Sequence, residues 1–418
     1  MLAATMEQLE ASEVEPATPV GKAWFVLTII YLFIDCARPQ DLVKALDYIH
    51  LGMISVLALL VFTLRNLRLI DWKIPQVRLI LLFIILLILE IPFAVNKHFA
   101  FDTALGLLLY LPFVFSCICS VDSKRKLKSI LFFAVLFLAC QSQFAIRHHG
   151  CGTGAQMYDE NDFSLYVNTW LPFCFMFFLS EKAPWKKILF GLITALGLAA
   201  SVIGRSRGGF MGLIVMFFIF WLFNPRKLVS LLIIGVVGLS LYMFAGDKYW
   251  SRIATSSDTQ HGTAKERIES WRAGWNMFLH NPLGVGGNNY QIRFTEYQSS
   301  WFRRGMWGRV AHSLWFTLLP ETGIIGVAIF FSLLFINIRD IFRLRNVARY
   351  CRDEDARFIK NLSVALLGSL AGFFSSASFI SVLYYPHYWY LCAFISTIVL
   401  VANRCAASNS YGDSTAPE

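Results

Sequence analysis

Long blocks of apolar residues are the feature that most limits how this chain can fold. A helix of about 20 apolar residues crosses the hydrocarbon core of a bilayer. We identify twelve candidate spans, which are Trp24–Cys36, Ile49–Leu64, Val77–Val95, Phe99–Cys119, Leu127–Ile146, Phe163–Leu179, Ile188–Gly204, Gly208–Phe223, Leu228–Ala245, His312–Ile338, Phe358–Leu383 and Pro386–Val401. Charged residues make up 15 % of the chain, against about 25 % in soluble domains, which excludes a soluble enzyme, a nucleic-acid-binding domain and a disordered chain. The sequence therefore predicts an all-α integral membrane protein, a polytopic bundle of about 12 transmembrane helices with one large loop.

The placement of Lys and Arg predicts which side of the membrane each connection occupies. If the N-terminus is cytoplasmic, the short inner segments hold 22 of the 37 Lys and Arg residues and the short outer segments hold six. The remaining nine lie in the long loop over residues 246–311, and long loops largely escape the rule that positive charge stays inside. We therefore expect both termini in the cytoplasm and the long loop on the outer side of the membrane. The net charge of +10 then reflects membrane orientation rather than a nucleic-acid partner.

This arrangement divides the chain into five parts. They are a cytoplasmic tail (1–22), transmembrane helices 1–9 (23–245), the long outer loop (246–311), transmembrane helices 10–12 (312–403) and a second cytoplasmic tail (404–418). The tail before Lys22 is acidic, unlike the positive start of a signal peptide, so we expect none. The nine cysteines fall mostly inside the spans and predict no disulfide framework.

Two arginines stand on the outer side, between spans joined by almost no loop. Arg205 and Arg207 can extend to lipid head groups while their stems stay in apolar surroundings. Alternatively, their planar guanidinium groups can bind the oxygens of a lipid diphosphate in pairs. Gly208 and Gly209 follow them and predict a tight turn or close packing of the backbone.

Residues 263–279 predict an amphipathic helix in the long loop. The apolar side chains that share one face are Ile268, Trp271, Trp275 and Phe278. We expect this face to lie on the outer leaflet with its tryptophans at head-group level, and Glu266 and Glu269 to point elsewhere. Arg267 stands at the edge of the face, as a solvated flank or as a catalytic residue.

A histidine stands where the long loop returns to the membrane. A free histidine has a pKa of about 6.5, so His312 can take up a proton near neutral pH, or it can bond to a backbone carbonyl. Glu321 lies nine residues later, on roughly the opposite face of an ideal helix, so we expect no direct pair. Pro320 is predicted to bend the helix between them.

The remaining polar clusters predict no metal site. Asp159, Glu160 and Asp162 form one cluster and His148-His149 another, but neither has the spacing of metal ligands. Both clusters are better explained as polar residues of exposed loops or as residues that cap helices. The loop aromatic residues either stack on sugar rings or anchor the chain at the membrane interface, and they are Tyr290, Tyr297, Trp301 and Trp307.

Four stretches, in this order, resemble the O-antigen ligase and polymerase superfamily of bacterial membrane glycosyltransferases. They read YDENDFSLYVNTWLPF, GRSRGGFMGLIVMF, ERIESWRAGWNMFLHNPLGVGGNNY and AHSLWFTLLPETGIIGVAIF. The earlier ARPQDL stretch is similar to a subgroup of O-glycosylation ligases found with exosortase systems. The resemblance runs from about Arg38 to about Gly326.

The resemblance implies a helical bundle in the bacterial inner membrane with a large periplasmic loop. Its members take a glycan from undecaprenyl diphosphate without a cofactor. Ligases transfer the glycan to lipid A–core or protein, and polymerases transfer it to another lipid-linked glycan. The partners implied are this donor, the acceptor and membrane lipids.

The resemblance also implies roles for particular residues. The arginine of the family's SRG motif matches Arg207, its loop arginine matches Arg267, and the histidine at the start of its late span matches His312. The two arginines, with Arg205 assisting, are then expected to bind the diphosphate, and His312 to act as base in an inverting, metal-independent transfer. Residues expected to support the site or the acceptor are Asp159, Asn161, Asp162, Trp271 and Glu321. Two departures from the family pattern bear on the acceptor: Ser313 follows the histidine where many relatives have Asn, and Arg205 is additional.

Other functions remain open at this point. A polymerase binds the same donor as a ligase. A transporter or flippase of lipid-linked glycans belongs to another class, but transporters usually place polar or broken helices near the bilayer midplane, whereas polar residues here gather on the outer side. A structural or assembly factor without activity is a third class.

Overall fold

The structure, a computed structural model, describes residues 19–228, 231–232, 235, 238, 262–299 and 308–414. Within these residues the chain forms helices and connections, without a strand. The α-helices are α1 (Pro19–Leu32), α2 (Pro39–Leu42), α3 (Lys44–Asp47), α4 (Leu51–Arg65), α5 (Pro75–Glu90), α6 (Lys97–Leu108), α7 (Leu111–Ser120), α8 (Lys124–Arg147), α9 (Glu160–Ser180), α10 (Pro184–Ile203), α11 (Arg207–Phe223), α12 (Gly262–His280), α13 (Tyr290–Tyr297), α14 (Leu314–Val347), α15 (Asp353–Ala377) and α16 (Pro386–Ser414). The predicted all-α class is confirmed for this part of the chain.

Eight helical segments in the described ranges are long and apolar enough to cross a membrane. They are Pro75–Phe93, Lys97–Ser120, Lys124–Arg147, Glu160–Ser180, Pro184–Ile203, Leu314–Tyr350, Asp353–Ala377 and Pro386–Ser408. Two shorter apolar helices, α4 and α11, match further predicted spans. The predicted span Leu228–Ala245 lies almost wholly outside the described residues. A polytopic helical bundle is therefore observed, while the count of twelve spans and the periplasmic position of the loop stay predictions.

One predicted span is divided. The span expected over Phe99–Cys119 consists of α6 and α7, with a turn at residues 109–110 between them. Pro112 lies in the first turn of α7, where its missing N–H costs no helical hydrogen bond. This proline therefore favours the start of a second helix over continuation of the first.

Polar contacts identify two opposite ends of the bundle. The end at the starts of α8 and α15 is called the basic end here. There Lys124 pairs with Asp355, and Lys182 pairs with Glu354 at 2.5 Å. The opposite end, called the site end, holds the starts of α9, α11 and α14.

Three helices pack without room for side chains between them where α11 crosses α9 and α15. A Cβ atom added to Gly209 would stand 2.3 Å from the Cβ of Ser164. The side-chain amide of Asn168 donates to the carbonyl oxygen of Gly209 and to the hydroxyl of Ser376, both at 2.9 Å. The predicted close packing at Gly209 is confirmed, and it fixes the start of α11 against its neighbours.

Helix α14 is interrupted at Gly323. This residue has φ 57° and ψ −166°, a conformation essentially reserved for glycine. Residues 282–286, called the anchor segment here, fill the interruption. Their backbone bonds run from Val285 N to Pro320 O at 2.9 Å, from Gly286 N to Glu321 O at 3.0 Å, and from Ile324 N to Pro282 O at 2.9 Å. The bend predicted at Pro320 is wrong in position, because the chain leaves helical geometry three residues later, where glycine permits it.

Candidate active site

The described part of the long loop is built on a small core of its own. Buried side chains of α12 and α13 pack together, and these are Ala273, Met277, Tyr290 and Phe294, with Val285 and Ala311 beside them. The indole of Trp271 stacks on Phe316 of α14, with ring centroids 5.5 Å apart, and donates to the carbonyl oxygen of Ala311 at 3.1 Å. Trp271 thereby fixes the loop to the residue before His312.

The amphipathic helix forms over α12, as predicted. The predicted apolar face is divided: Trp271 packs on Phe316 of α14, whereas Trp275 is 47 % exposed. Glu269 points away from the face and is only 3 % exposed, and it accepts hydrogen bonds from the backbone N–H, at 2.8 Å, and the hydroxyl of Ser299. Contact of the apolar face with the outer leaflet stays a prediction.

The starts of α9 and α11 are joined by hydrogen bonds between their capping residues. Asp159 caps α9 by accepting from the backbone and side-chain N–H groups of Asn161, both at 2.6 Å. Ser206 caps α11 by accepting from the N–H of Gly209 at 3.0 Å, and donates to the side-chain oxygen of Asn161 at 2.7 Å. Capping was the role predicted for the acidic cluster, and it is confirmed for Asp159. Two helix N-termini, which carry partial positive charge, therefore meet at the site end.

The two arginines of the short turn before α11 differ in how far their side chains are buried. Arg205 has a left-handed backbone, with φ 52°, and an exposed side chain. Arg207 is the first residue of α11 and is half-buried. The turn therefore presents Arg207 toward the protein and Arg205 toward its surroundings.

The charges of Arg207 and Arg309 act on Arg267, and those of Arg267 and Arg309 act on His312. Burial lowers the pKa of Arg267, and the charges of Arg207 and Arg309 lower it further, against an opposing effect of Asp159. Burial also lowers the pKa of His312, and Arg267 and Arg309 lower it further. Because charge effects of this kind fall off with distance, the structure brings these groups into one arginine–histidine cluster (Arg207, Arg267, Arg309 and His312).

Arg309 is the member of the cluster that the sequence did not single out. Its Nε donates to the hydroxyl of Ser270 at 2.8 Å, and its Nη1 pairs with the Glu266 carboxylate at 3.1 Å. Both partners lie on α12, so this helix positions Arg309 beside Arg267. The only signal in the sequence was that Arg309 precedes His312 by three residues.

Glu321 is not part of the cluster. Its Oε1 accepts from the N–H of Tyr290 at 3.0 Å, and its Oε2 accepts from the N–H of Asn288 at 2.8 Å and the hydroxyl of Tyr384 at 2.7 Å. The expectation that it does not pair directly with His312 agrees with these bonds. Its role is to hold the turn before α13 against the α15–α16 connection.

The remaining residues that the sequence suggested do not join the cluster in the described part of the chain. Asp162 is buried, and the hydroxyl of Tyr385 approaches its carboxylate at 3.5 Å. Trp301 and Trp307 lie outside the described residues. The described ranges contain no group of three or more His, Cys, Asp and Glu side chains that could hold a metal ion.

A family model described as O-Antigen ligase matches residues 190–331. This part of the chain is similar to the O-antigen ligase family. The match confirms the resemblance to the O-antigen ligase and polymerase superfamily, whose members are glycosyltransferase-like membrane enzymes. No curated protein matches the chain. The finer resemblance to ligases found with exosortase systems stays a prediction.

The matched region contains the whole arginine–histidine cluster. It begins within α10 and ends within α14, so it also contains Trp271, Arg309 and Glu321. The capping residues Asp159 and Asn161 and the nearby Asp162 lie before it. Residues outside the matched domain therefore complete the surroundings of the cluster.

The cluster combines a proton acceptor with concentrated positive charge. Because its pKa is lowered, the imidazole of His312 is mostly neutral at neutral pH and can accept a proton. The arginines and the helix N-termini favour a bound anion, especially one whose oxygens match guanidinium N–H groups. This chemistry suits transfer from a phosphorylated donor to a hydroxyl group.

Proposed function

We propose that this protein transfers a glycan from undecaprenyl diphosphate to a hydroxyl group, at the periplasmic face of the bacterial inner membrane. The observation that carries the proposal is that Arg267 and Arg309 act on His312, and Arg207 acts on Arg267, at one end of a helical bundle. The match of residues 190–331 to the O-antigen ligase family model supports the same class of reaction. Both termini are proposed to lie in the cytoplasm, which the distribution of Lys and Arg supports.

The diphosphate of the donor is proposed to bind between Arg207 and Arg267. Negative charge offsets the repulsion between neighbouring guanidinium groups, and Glu266 provides some of it through its pair with Arg309. A diphosphate would add further negative charge, and it would also interact with the partial positive charge at the start of α11. Arg309 adds to this charge, and exposed Arg205 is placed to assist.

His312 is proposed to act as the general base. It takes the proton of the acceptor hydroxyl while the hydroxyl oxygen forms a bond to the anomeric carbon. The bond between that carbon and the diphosphate oxygen breaks on the opposite side, so the configuration inverts. The arginines stabilise the negative charge that grows on the leaving diphosphate, a task that otherwise falls to a metal ion.

The acceptor is proposed to be lipid A–core or a protein. A polymerase, for which the acceptor is a second lipid-linked glycan, is the alternative within the family. A transporter or flippase is the alternative of another class. Interrupted helices are also found in transporters, and α14 is interrupted. Here, however, the anchor segment fills the interruption with backbone hydrogen bonds. This favours a loop docked on the helix over a path for a transported substrate.

The experiment is gene deletion in the host, followed by restoration with wild type, His312→Ala or Arg207→Lys. Carrier-linked glycans, glycolipids and glycoproteins are compared by gel and mass spectrometry. We expect deletion to leave full-length chains on the carrier and none on the acceptor, and only wild type to restore transfer fully. Arg207→Lys is expected to restore little, because an ammonium group cannot bind two oxygens in the paired geometry of a guanidinium.

The same experiment separates the alternatives. Single repeat units on an otherwise modified acceptor indicate a polymerase. Full restoration by His312→Ala contradicts the role of His312 as a base. It would then favour a transporter or a structural factor over an enzyme.

A further inference from the structure

A cavity of about 290 Å³ lies beside the arginine–histidine cluster. Its wall includes Ala311, the residue before His312, and reaches Glu321 of α14. The α15–α16 connection closes it with Ser381, Tyr384 and Tyr385. The cavity is therefore formed by the loop and two spans together, next to the candidate base.

Two contacts connect the cavity to the cluster. The carbonyl oxygen of Ala311 accepts from the indole of Trp271, at 3.1 Å, on the helix that carries Arg267. On the other side, the hydroxyl of Tyr385 approaches Asp162 at 3.5 Å, close to the cap of α9. A ligand in the cavity therefore lies against the same elements that present the arginines and His312.

The wall is held in place before any ligand binds. Glu321 is 2 % exposed, and its carboxylate fixes the hydroxyl of Tyr384 and the backbone of Asn288 and Tyr290. The hydroxyl of Thr317 contacts that of Ser381 at 3.2 Å. Glu321 is thus a positioning residue, and pre-organised walls of this kind lower the cost of binding.

The chemistry of the wall differs from that of the cluster. Of the described residues that line the cavity, none is Lys or Arg, so it is unsuited to the diphosphate itself. It instead offers neutral hydroxyl and amide groups, from Ser381 and Gln291 among others, beside the aromatic rings of Tyr384 and Tyr385. A sugar ring carries hydroxyl groups that can bond to the polar side chains, and its apolar faces can pack on the aromatic rings.

We infer that this cavity binds one sugar unit of a substrate. Its volume is near the lower end of the range of about 300–1,000 Å³ for small-ligand pockets, which suits a single ring rather than a chain. The inference rests on the proposed function, since a glycan-transferring enzyme requires sugars on both sides of the bond it forms. The sugar belongs either to the acceptor or to the donor.

Binding is tested apart from transfer. The full-length protein in detergent is mixed with the methyl glycosides of glucose, galactose, N-acetylglucosamine and rhamnose, and saturation-transfer NMR is recorded. We expect a signal from at least one glycoside with wild type and with His312→Ala, because binding does not require the base. Ser381→Trp, which fills the cavity, is expected to lose the signal. Gln291→Ala, which adds no bulk, is expected to weaken it.

The matched control is Ser408→Trp, which adds the same side chain on an exposed residue of α16. It is expected to retain the signal. Absence of a signal with wild type, or a signal that Ser381→Trp leaves intact, overturns the assignment. A signal without any transfer in the cell experiment contradicts the proposed function and leaves the sugar site standing.

Transfer kinetics then assign the sugar to its source. An increase of the KM for the acceptor alone in Gln291→Ala supports an acceptor sugar, and an increase for the donor alone supports a donor sugar. An unchanged KM for both substrates contradicts the inference.

Discussion

The two ends of the bundle treat positive charge in opposite ways. At the basic end, Lys124 and Lys182 each pair with a carboxylate of α15. At the site end, burial and the charges of Arg207 and Arg309 lower the pKa of Arg267, although Glu266 pairs with Arg309. The two ion pairs at the basic end each join one lysine to one carboxylate, whereas the site end brings three arginines to the surroundings of one histidine. The difference supports the diphosphate site proposed above.

The largest expected effect is that of removing the base at the site end. His312→Ala is expected to reduce kcat by about 10²–10⁴-fold, the usual contribution of general acid–base catalysis. Steady-state transfer from an undecaprenyl-diphosphate glycan measures it. His280→Ala is the control, since His280 is an exposed histidine of the same loop. Equal activity of the two variants would contradict the role of His312.

The next effect compares the same substitution at the two ends. Arg267→Lys is expected to reduce kcat by about 10²–10³-fold, the usual cost of removing one donor that stabilises a charged transition state. Arg357→Lys, an exposed position at the basic end, is expected to leave transfer unchanged. Similar losses in both variants would mean that the two ends do not differ in function.

A smaller effect concerns pH. A base must be neutral, so kcat/KM is expected to fall as pH decreases through the pKa of His312. Arg309 lowers this pKa and Glu266 raises it. Arg309→Gln therefore shifts the acid limb of the pH profile to higher pH, and Glu266→Gln shifts it to lower pH. Shifts in the same direction would show that the limb belongs to another group.

The smallest effect on activity and stability is expected from breaking an exposed ion pair at the basic end. Lys182 and Glu354 are both largely exposed, and exposed ion pairs contribute little to stability. Lys182→Ala is expected to leave both the thermal unfolding midpoint and transfer close to wild type. A large loss of transfer would extend the functional site to the basic end.

The fold class and part of the site could be predicted from the sequence because they depend on local patterns. Apolar blocks predicted the helices, and the i, i+3, i+4 spacing around Trp271 predicted α12. The position of Arg207 between two spans indicated a site at the membrane edge. The family resemblance added Arg267 and His312, whose electrostatic contact the structure then provides.

The remaining features depend on contacts between distant residues. Arg309 joins the cluster through Glu266 and Ser270, about forty positions earlier in the chain, and its surroundings have no periodic pattern. The role of Glu321 depends on Tyr384, which lies in the connection between α15 and α16. The bend in α14 was expected at proline and occurs at Gly323, because the anchor segment supplies partners that no local rule predicts.

The anchor segment has a consequence for how the loop can vary. Its three bonds to α14 use only main-chain atoms, so most side-chain replacements leave them intact. What must be kept is the number of residues in the segment and the glycine at position 323. A Cβ added at Gly323 would stand 2.4 Å from the carbonyl carbon of Leu283. Residues that face a substrate can therefore diversify while the loop keeps its register on the span. Insertions within 282–286 would displace Arg309 and His312 together.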